Sequence, residues 1–394
     1  MDQITTSARA DWAALQRWSL IAGVVGLAAL AFGGFANPGQ FFHSYLIAFI
    51  YWLGIGSGSL ALLMIYHLTG GAWGALIRRV LEAASRTLPL MAALSVPLAF
   101  GLSHVYLWTD TARTMADPVL VKKVAYLNVP FFLMRAALYF AVWLTLVFFL
   151  NRWSRQQDRT ADPAFEDHMR RLSGIGLPLW GLAVTFAAFD WIMSIDPYWF
   201  STIFGALLMG GQGLSGLAFA IGVVYLLSRG GVLGRPFSPA HLLDLGNLLL
   251  ATVMLFAYFA YSQLVIIWAG NLPEEIRWYL ARIAGGWKAI AVVLAVFHFA
   301  VPFVLLLSRV TKRRLGTLAA VATMVLGAQL LYVFFLIAPE FYRKGLTVGW
   351  MDLAAVVGLG GLWLGMFTRQ LSRWPLLPEH DPELGAALAA VHAE

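Results

Sequence analysis

An all-α protein that crosses a membrane about ten times is what the sequence predicts, and three observations carry that reading. Of 394 residues, 60% are hydrophobic and only 12% charged, a balance outside the range of soluble globular domains. The apolar residues gather in runs of roughly 20 or more, the length that crosses a bilayer as a helix. Lysine and arginine concentrate in alternate connections between those runs, as the positive-inside rule expects of a multi-pass chain.

The opening stretch MDQITTSARADWAALQRW is polar and carries two acids and two arginines, so no cleaved signal is expected there. Spans follow near 17–37, 42–68, 87–109, 128–150, 173–195, 200–227, 244–270, 284–308, 316–338 and 351–371. The second and sixth exceed the minimum length and are expected to tilt or protrude. The third contains Pro89 and Pro97 and starts after the arginines of RRVLEAASR, which read as a basic connection. Between the fifth and sixth lies DPYW, where Asp196 before Pro197 has the residue types of an N-cap and first helical position for the sixth span. The longest connection, NRWSRQQDRTADPAFEDHMRRL, is too short and too charged to form a domain.

Of the 27 lysines and arginines, 18 fall at the termini and in the even-numbered connections and 7 in the odd ones. Both termini are therefore expected on the cytoplasmic side and DPYW on the outer side. A shift of 157 residues superposes Ser44 on Ser201, Gly54 on Gly211, Gly56 on Gly213, Leu60 on Leu217 and Ala61 on Ala218. If this is a repeat, it relates spans two to five with spans six to nine in parallel orientation, unlike the inverted halves of many transporters. The expected organisation is 1–40 for the N-terminus and first span, 41–196 for one four-helix bundle, 197–340 for a second, and 341–394 for the last span and tail.

Depth, at about 1.5 Å per residue, sorts the ionisable groups. Asp190 lies about 9 Å from the outer end of span five and Arg135 about 10 Å from the outer start of span four, so the two are natural partners across adjacent helices. His43, His104, Gln263 and Lys288 share this outer half. In the inner half stand His298, about 20 Å in from the start of span eight, with Asp244, His241 and His67 near the inner ends of their spans. Together Asp190, Arg135, His43, His104, Gln263, Lys288, Asp196, His298 and Asp244 are the candidates for a quinol-proximal or proton-conducting path. The bland alternative is that they lock helices, cap termini or reach for headgroups.

Several chemistries are excluded. With no cysteine, the chain offers no disulfide, no thiolate-ligated iron–sulfur cluster and no CxxCH haem attachment. Histidines show no paired spacing for a bis-histidine haem, no HxxxH or ExxH lies within a span, and no phosphate loop is present. A net charge of +7 sits beside apolar runs and reads as topology rather than nucleic-acid binding.

Two stretches, HSYLIAFIYWLGIGSGSLALLMIYHLTGGAWGALIRRVLEAASRTLPLMA at 43–92 and FDWIMSIDPYWFSTIFG at 189–205, resemble the polysulfide reductase/NrfD-like membrane proteins. Within that family the likeness is to the F subunits of bacterial alternative complex III. The resemblance implies a multi-pass subunit of a quinol:electron acceptor oxidoreductase in the cytoplasmic membrane. Its partners would be a sister NrfD-like subunit, an iron–sulfur protein and c-type cytochromes, with lipid around it and no nucleic acid. Menaquinol or ubiquinol would be the substrate of the assembly, and no redox cofactor would be held covalently or through a metal by this chain. His43, Asp190 and Asp196 lie within the matching stretches. A purely structural scaffold in the same complex and a secondary transporter are the rival readings.

Overall fold

The computed structural model describes residues 2–230, 238–378 and 380–385, with side chains described from Trp12 onward. Its architecture follows from a single constraint: in hydrocarbon the backbone must satisfy its own hydrogen bonds, and helices do so locally. Ten helices are long and apolar enough to cross a membrane. They are α1 (Trp12–Ala36), α2 (Pro38–Thr69), α3 (Ala72–Phe100), α4 (Val129–Thr160), α5 (Ala164–Ile195), α6 (Phe204–Arg229), α7 (Pro239–Gly270), α8 (Trp287–Leu307), α9 (Leu315–Phe341) and α10 (Trp350–Leu371). Among the described residues no strand occurs. The end where α1 begins is called the basic face below, and the other end the opposite face.

Side-chain caps start several of these helices. Asn37 accepts from the Gln40 amide at the head of α2, Asn128 from the Phe131 amide at α4, and Ser238 from the His241 amide at α7, each with a proline in the first two positions. Such caps satisfy amides that have no partner within the helix. Helix α8 departs from regular geometry at Ala295–Ala300, a π-helical turn ahead of Pro302 that carries His298.

Helix α2 is the axis of the molecule. Of its most apolar window 94% is buried, against 22% for α7 and for α8, which face outward. It crosses α6 where small residues meet: a Cβ on Gly58 would stand 1.8 Å from the Gln212 carbonyl oxygen, and one on Gly216 would stand 2.7 Å from the Ser59 amide. Small residues at a crossing let backbones touch, which is how membrane helices associate without a hydrophobic drive between them. Around this axis α2, α3, α4 and α5 pack as a ring, and α6, α7, α8 and α9 pack with the same pattern of neighbours. The first and last spans, α1 and α10, run against one another and close over α2.

The third span differs from expectation. It covers Ala72–Phe100 rather than 87–109, with a break at Arg86–Thr87 between two helical segments. Hydropathy placed Arg78, Arg79, Glu82 and Arg86 in a connection, but these residues are buried, with Glu82, Asp381 and Asp158 pairing Arg78 and Arg79. Residues 101–121 instead leave the membrane as short turns on the opposite face, burying Tyr106 and Trp108.

Substituting Gly58→Leu is expected to force α2 and α6 apart. The purified chain in detergent should lose cooperative thermal unfolding or unfold at a markedly lower temperature, whereas Gly222→Leu, at a position open to added atoms, should unfold like the parent.

Candidate functional site

At the opposite face, the last turns of α5 meet the first turns of α4. Asn128 fixes the start of α4, and Arg135 follows about two turns in. Asp190 comes from α5 and is fully buried. The Arg135 guanidinium donates to both Asp190 carboxylate oxygens, Nε to Oδ2 and Nη2 to Oδ1, each at 2.8 Å. Tyr139, one turn beyond Arg135, donates its hydroxyl to Oδ2 at 2.6 Å. The remaining guanidinium arm donates to the Tyr126 carbonyl at 2.9 Å, and the rings of Tyr126 and Phe131 lie 3.8 and 4.3 Å from its charge. The depth match therefore does bring Arg135 and Asp190 together.

What this pair can do is limited by how completely it is satisfied. Both carboxylate oxygens hold charge-assisted or phenolic hydrogen bonds, so the carboxylate is fixed in place by three donors. A planar, bidentate guanidinium locked by aromatic rings suits holding two helices in register.

The other predicted residues do not gather around it. His43 contacts the His104 carbonyl through Nε2 at 2.9 Å and stacks on Phe341 at 3.6 Å, while the exposed His104 ring stacks on Phe42. Gln263 accepts from Ser201 at 2.9 Å and donates to Tyr279 at 3.3 Å. Lys288 is exposed and forms no ion pair among the described residues. At the basic face His241 completes the capping box with Ser238, and the His67 Nε2 is buried without a partner. Asp244 is exposed there, so it is no interior relay. The polar groups toward the opposite face are thus separate networks.

Asp196 requires a correction. It does not cap α6, which starts at Phe204 with Ile203 before it. Its Oδ1 accepts from the Tyr198 amide at 3.1 Å, tightening the DPYW turn, and both oxygens accept from Arg277 at 2.9 Å. Arg277 belongs to a helix, Pro273–Ile283, between α7 and α8. An N-cap needs a helix immediately after it, and here the chain runs through a turn first.

Beside this ion pair opens a cavity of about 490 Å³ lined by Asp196, Arg277, Trp287, Glu340, Arg343 and Gly345. Behind Glu340 stands Arg282, wholly buried, donating to Glu340 at 3.0 Å, to the Trp278 carbonyl at 3.0 Å and to the Leu336 carbonyl at 2.6 Å. Its charge lies 3.4 Å from the Trp278 ring. Burial draws the guanidinium down to about 10, opposed by Glu340, so it stays charged at neutral pH. Burial also raises the nearby Tyr279 hydroxyl to about 12.

On the face of α9 that carries Glu340 stand Tyr332, eight residues back with Leu336 between them, and Gln329, three residues further in. The His298 ring lies 5.9 Å from Tyr332 and 4.5 Å from Phe256. Gln212 of α6 is buried near the same level. His298 Nε2, Gln329 Oε1 and Gln212 Oε1 are all buried without a hydrogen-bond partner. By helical rise His298 is about 16 Å and Gln329 about 18 Å from the opposite-face ends of α8 and α9. Unpaired polar atoms at that depth cost on the order of 1–3 kcal/mol each, a cost that water entering among them would relieve.

Sequence reasoning missed the network at the basic face. Glu82 accepts from Arg78 at 2.9 Å, from Arg79 at 2.8 Å and from Ser154 at 2.6 Å. Asp381 of the tail accepts from Arg78 at 2.6 Å and from Tyr66 at 2.5 Å. The signal was the spacing in RRVLEAASR, with arginines three and four residues before and four after one glutamate. Also missed was Asp352 at the start of α10, which accepts from Ser44 of α2 at 2.6 Å. Among the described residues no three His, Asp or Glu side chains converge as metal ligands.

Searches against models of protein families and against curated proteins find no match to this chain.

Removing one member of the Arg135–Asp190 pair leaves a buried charge uncompensated, at a cost of about 3–5 kcal/mol. Arg135→Gln should therefore lower the unfolding temperature of the purified chain clearly, and Arg135→Gln with Asp190→Asn should recover part of the loss. Equal stability of the single variant and the parent would contradict the lock.

Proposed function

We propose that this chain is an integral membrane subunit of a bacterial quinol:electron acceptor oxidoreductase of the alternative complex III kind. In this reading it sits in the cytoplasmic membrane with both termini cytoplasmic. Electrons pass from menaquinol or ubiquinol through iron–sulfur and c-type haem centres on partner subunits. This chain packs beside a sister NrfD-like subunit, supplies helical frame and gives protons a route to the outer face.

The observation that carries the proton role is the column His298–Gln329–Tyr332 ending at Arg282 and Glu340 beside the open cavity. Oxidation of a quinol releases two protons with its two electrons, and a positioned base must take them. His298 is the imidazole of the column, buried beside Tyr332 and Phe256. Tyr332, with a hydroxyl that both donates and accepts, stands between it and the ion pair at the mouth. Glu340 accepts at the cavity wall, where Arg282 and Arg343 hold its carboxylate near the exit. Support for the family comes from the two stretches at 43–92 and 189–205 and from ten spans around them.

For Asp190 and Arg135 the scaffold role is the better reading, because each carboxylate oxygen is already occupied. The proton route thus runs through the second ring of helices, α6 to α9, and the lock through the first.

Two measurements test this. Affinity purification of the tagged chain from native membranes should bring down c-type haem absorbance; recovery of the chain alone would contradict the assembly. In the intact complex Glu340→Gln should slow quinol oxidation about tenfold or more, within the usual range for losing a proton-transfer group. Unchanged turnover and proton release in that variant would remove the route.

A further inference from the structure

A second cavity, of about 470 Å³, lies at the basic face between α3, α4 and α10. Its floor is apolar: Pro89, Leu144, Val147, Phe148 and Met366. Leu144 stands 11 residues before Arg155 on α4, so the trough reaches about 16 Å from the membrane surface toward its middle. Its upper rim carries three arginines, Arg86, Arg155 and Arg373. The Trp374 ring holds two of them, 5.6 Å from the Arg86 charge and 5.5 Å from that of Arg155.

These arginines are positioned but not neutralised. Arg86 donates through Nε to Asn151, and its nearest carboxylate, Glu82, is 3.6 Å away and already engaged by Arg78 and Arg79. Its Nη2 is buried without a hydrogen-bond partner. Arg155 donates Nε to the Asn151 carbonyl at 2.9 Å. Neither Arg155 nor Arg373 forms an ion pair among the described residues.

We propose that this groove is a binding site for an anionic phospholipid of the leaflet at the basic face. The phosphate sits among Arg86, Arg155 and Arg373, and an acyl chain lies along Leu144, Val147, Phe148 and Met366. Depth and chemistry agree on this occupant. A guanidinium cluster at headgroup level above an apolar trough matches an anionic amphiphile. A neutral isoprenoid quinone would leave Arg155 and Arg373 without a counter-charge, and a soluble anion would leave the trough unfilled. The site is independent of the redox reading, since it requires only that the chain spans a bilayer.

The test is lipid binding to the purified full chain in detergent, followed by native mass spectrometry and thermal unfolding. Phosphatidylglycerol is expected to remain bound and raise the unfolding temperature, with phosphatidylcholine of the same acyl chains doing neither. Arg155→Gln with Arg373→Gln should weaken phosphatidylglycerol binding about tenfold or more, and Arg313→Gln with Arg314→Gln, at another part of the basic face, should leave it unchanged. Leu144→Trp, which fills the trough and keeps every arginine, should also weaken it. Equal binding of the two lipids, full binding by the Arg155/Arg373 variant, or the same stabilisation by inorganic phosphate alone would each overturn the proposal.

Discussion

The backbone contact between α2 and α6 is the constraint on which the remaining structure depends. With Gly58 against the Gln212 carbonyl and Gly216 against Ser59, the two helices meet without intervening side chains, and the other spans are arranged around them. That crossing brings Gln212 to the centre of the molecule. It also leaves α7 and α8 on the outside, where the regular geometry of α8 gives way around His298. Close packing of this kind substitutes for hydrophobic association, which lipid cannot supply.

Around the axis the buried polar groups fall into two kinds. One kind is a carboxylate held by several donors: Asp190 by Arg135 and Tyr139, Glu82 by Arg78, Arg79 and Ser154, Asp352 by Ser44 and the Gly349 amide. A carboxylate held by several donors tolerates burial, and donors on neighbouring helices make it a tie between them. Other buried groups keep an atom without a hydrogen-bond partner, and three of them, His298, Gln329 and Gln212, lie together in the second ring of helices. Those groups carry a standing cost, and they lie in line with a cavity at the opposite face. A membrane protein keeps such unmet groups where water or protons have a use for them. In the proposed reading this division separates a frame from a route within one chain.

Much of the frame was legible from the sequence, because lipid imposes a length and a hydropathy that a one-dimensional reading detects. All ten spans were visible, and so was the partnership of Arg135 and Asp190, since two charges at equal depth on consecutive antiparallel helices have few other options. The third span was misplaced for a physical reason. Hydropathy scores Arg78, Arg79, Glu82 and Arg86 one by one, whereas in the fold Arg78 and Arg79 are paired by Glu82 and by the distant Asp381 and Asp158, and the segment enters the bundle. Asp196 preceded a proline, a local pattern shared by caps and turns, and only its distant partner Arg277 decides between them. Asp244 and Lys288 had plausible depths but face outward, which depth alone does not encode. The column from His298 to Glu340 was only half visible. His298 was noticed, but Tyr332, Arg282 and Glu340 were not, because only the packing of α9 against the helix at Pro273–Ile283 brings Arg282 to Glu340.

If the division into frame and route is right, water must enter the column and stay out of the lock. The absence of cysteine in the chain makes this measurable with single introduced thiols in sealed vesicles. A Tyr332→Cys variant should react with a small, membrane-impermeant thiol reagent supplied from the opposite face, and a Tyr139→Cys variant should remain protected under the same conditions. Protection of the thiol at 332 together with reaction at 139 would contradict the account at its centre.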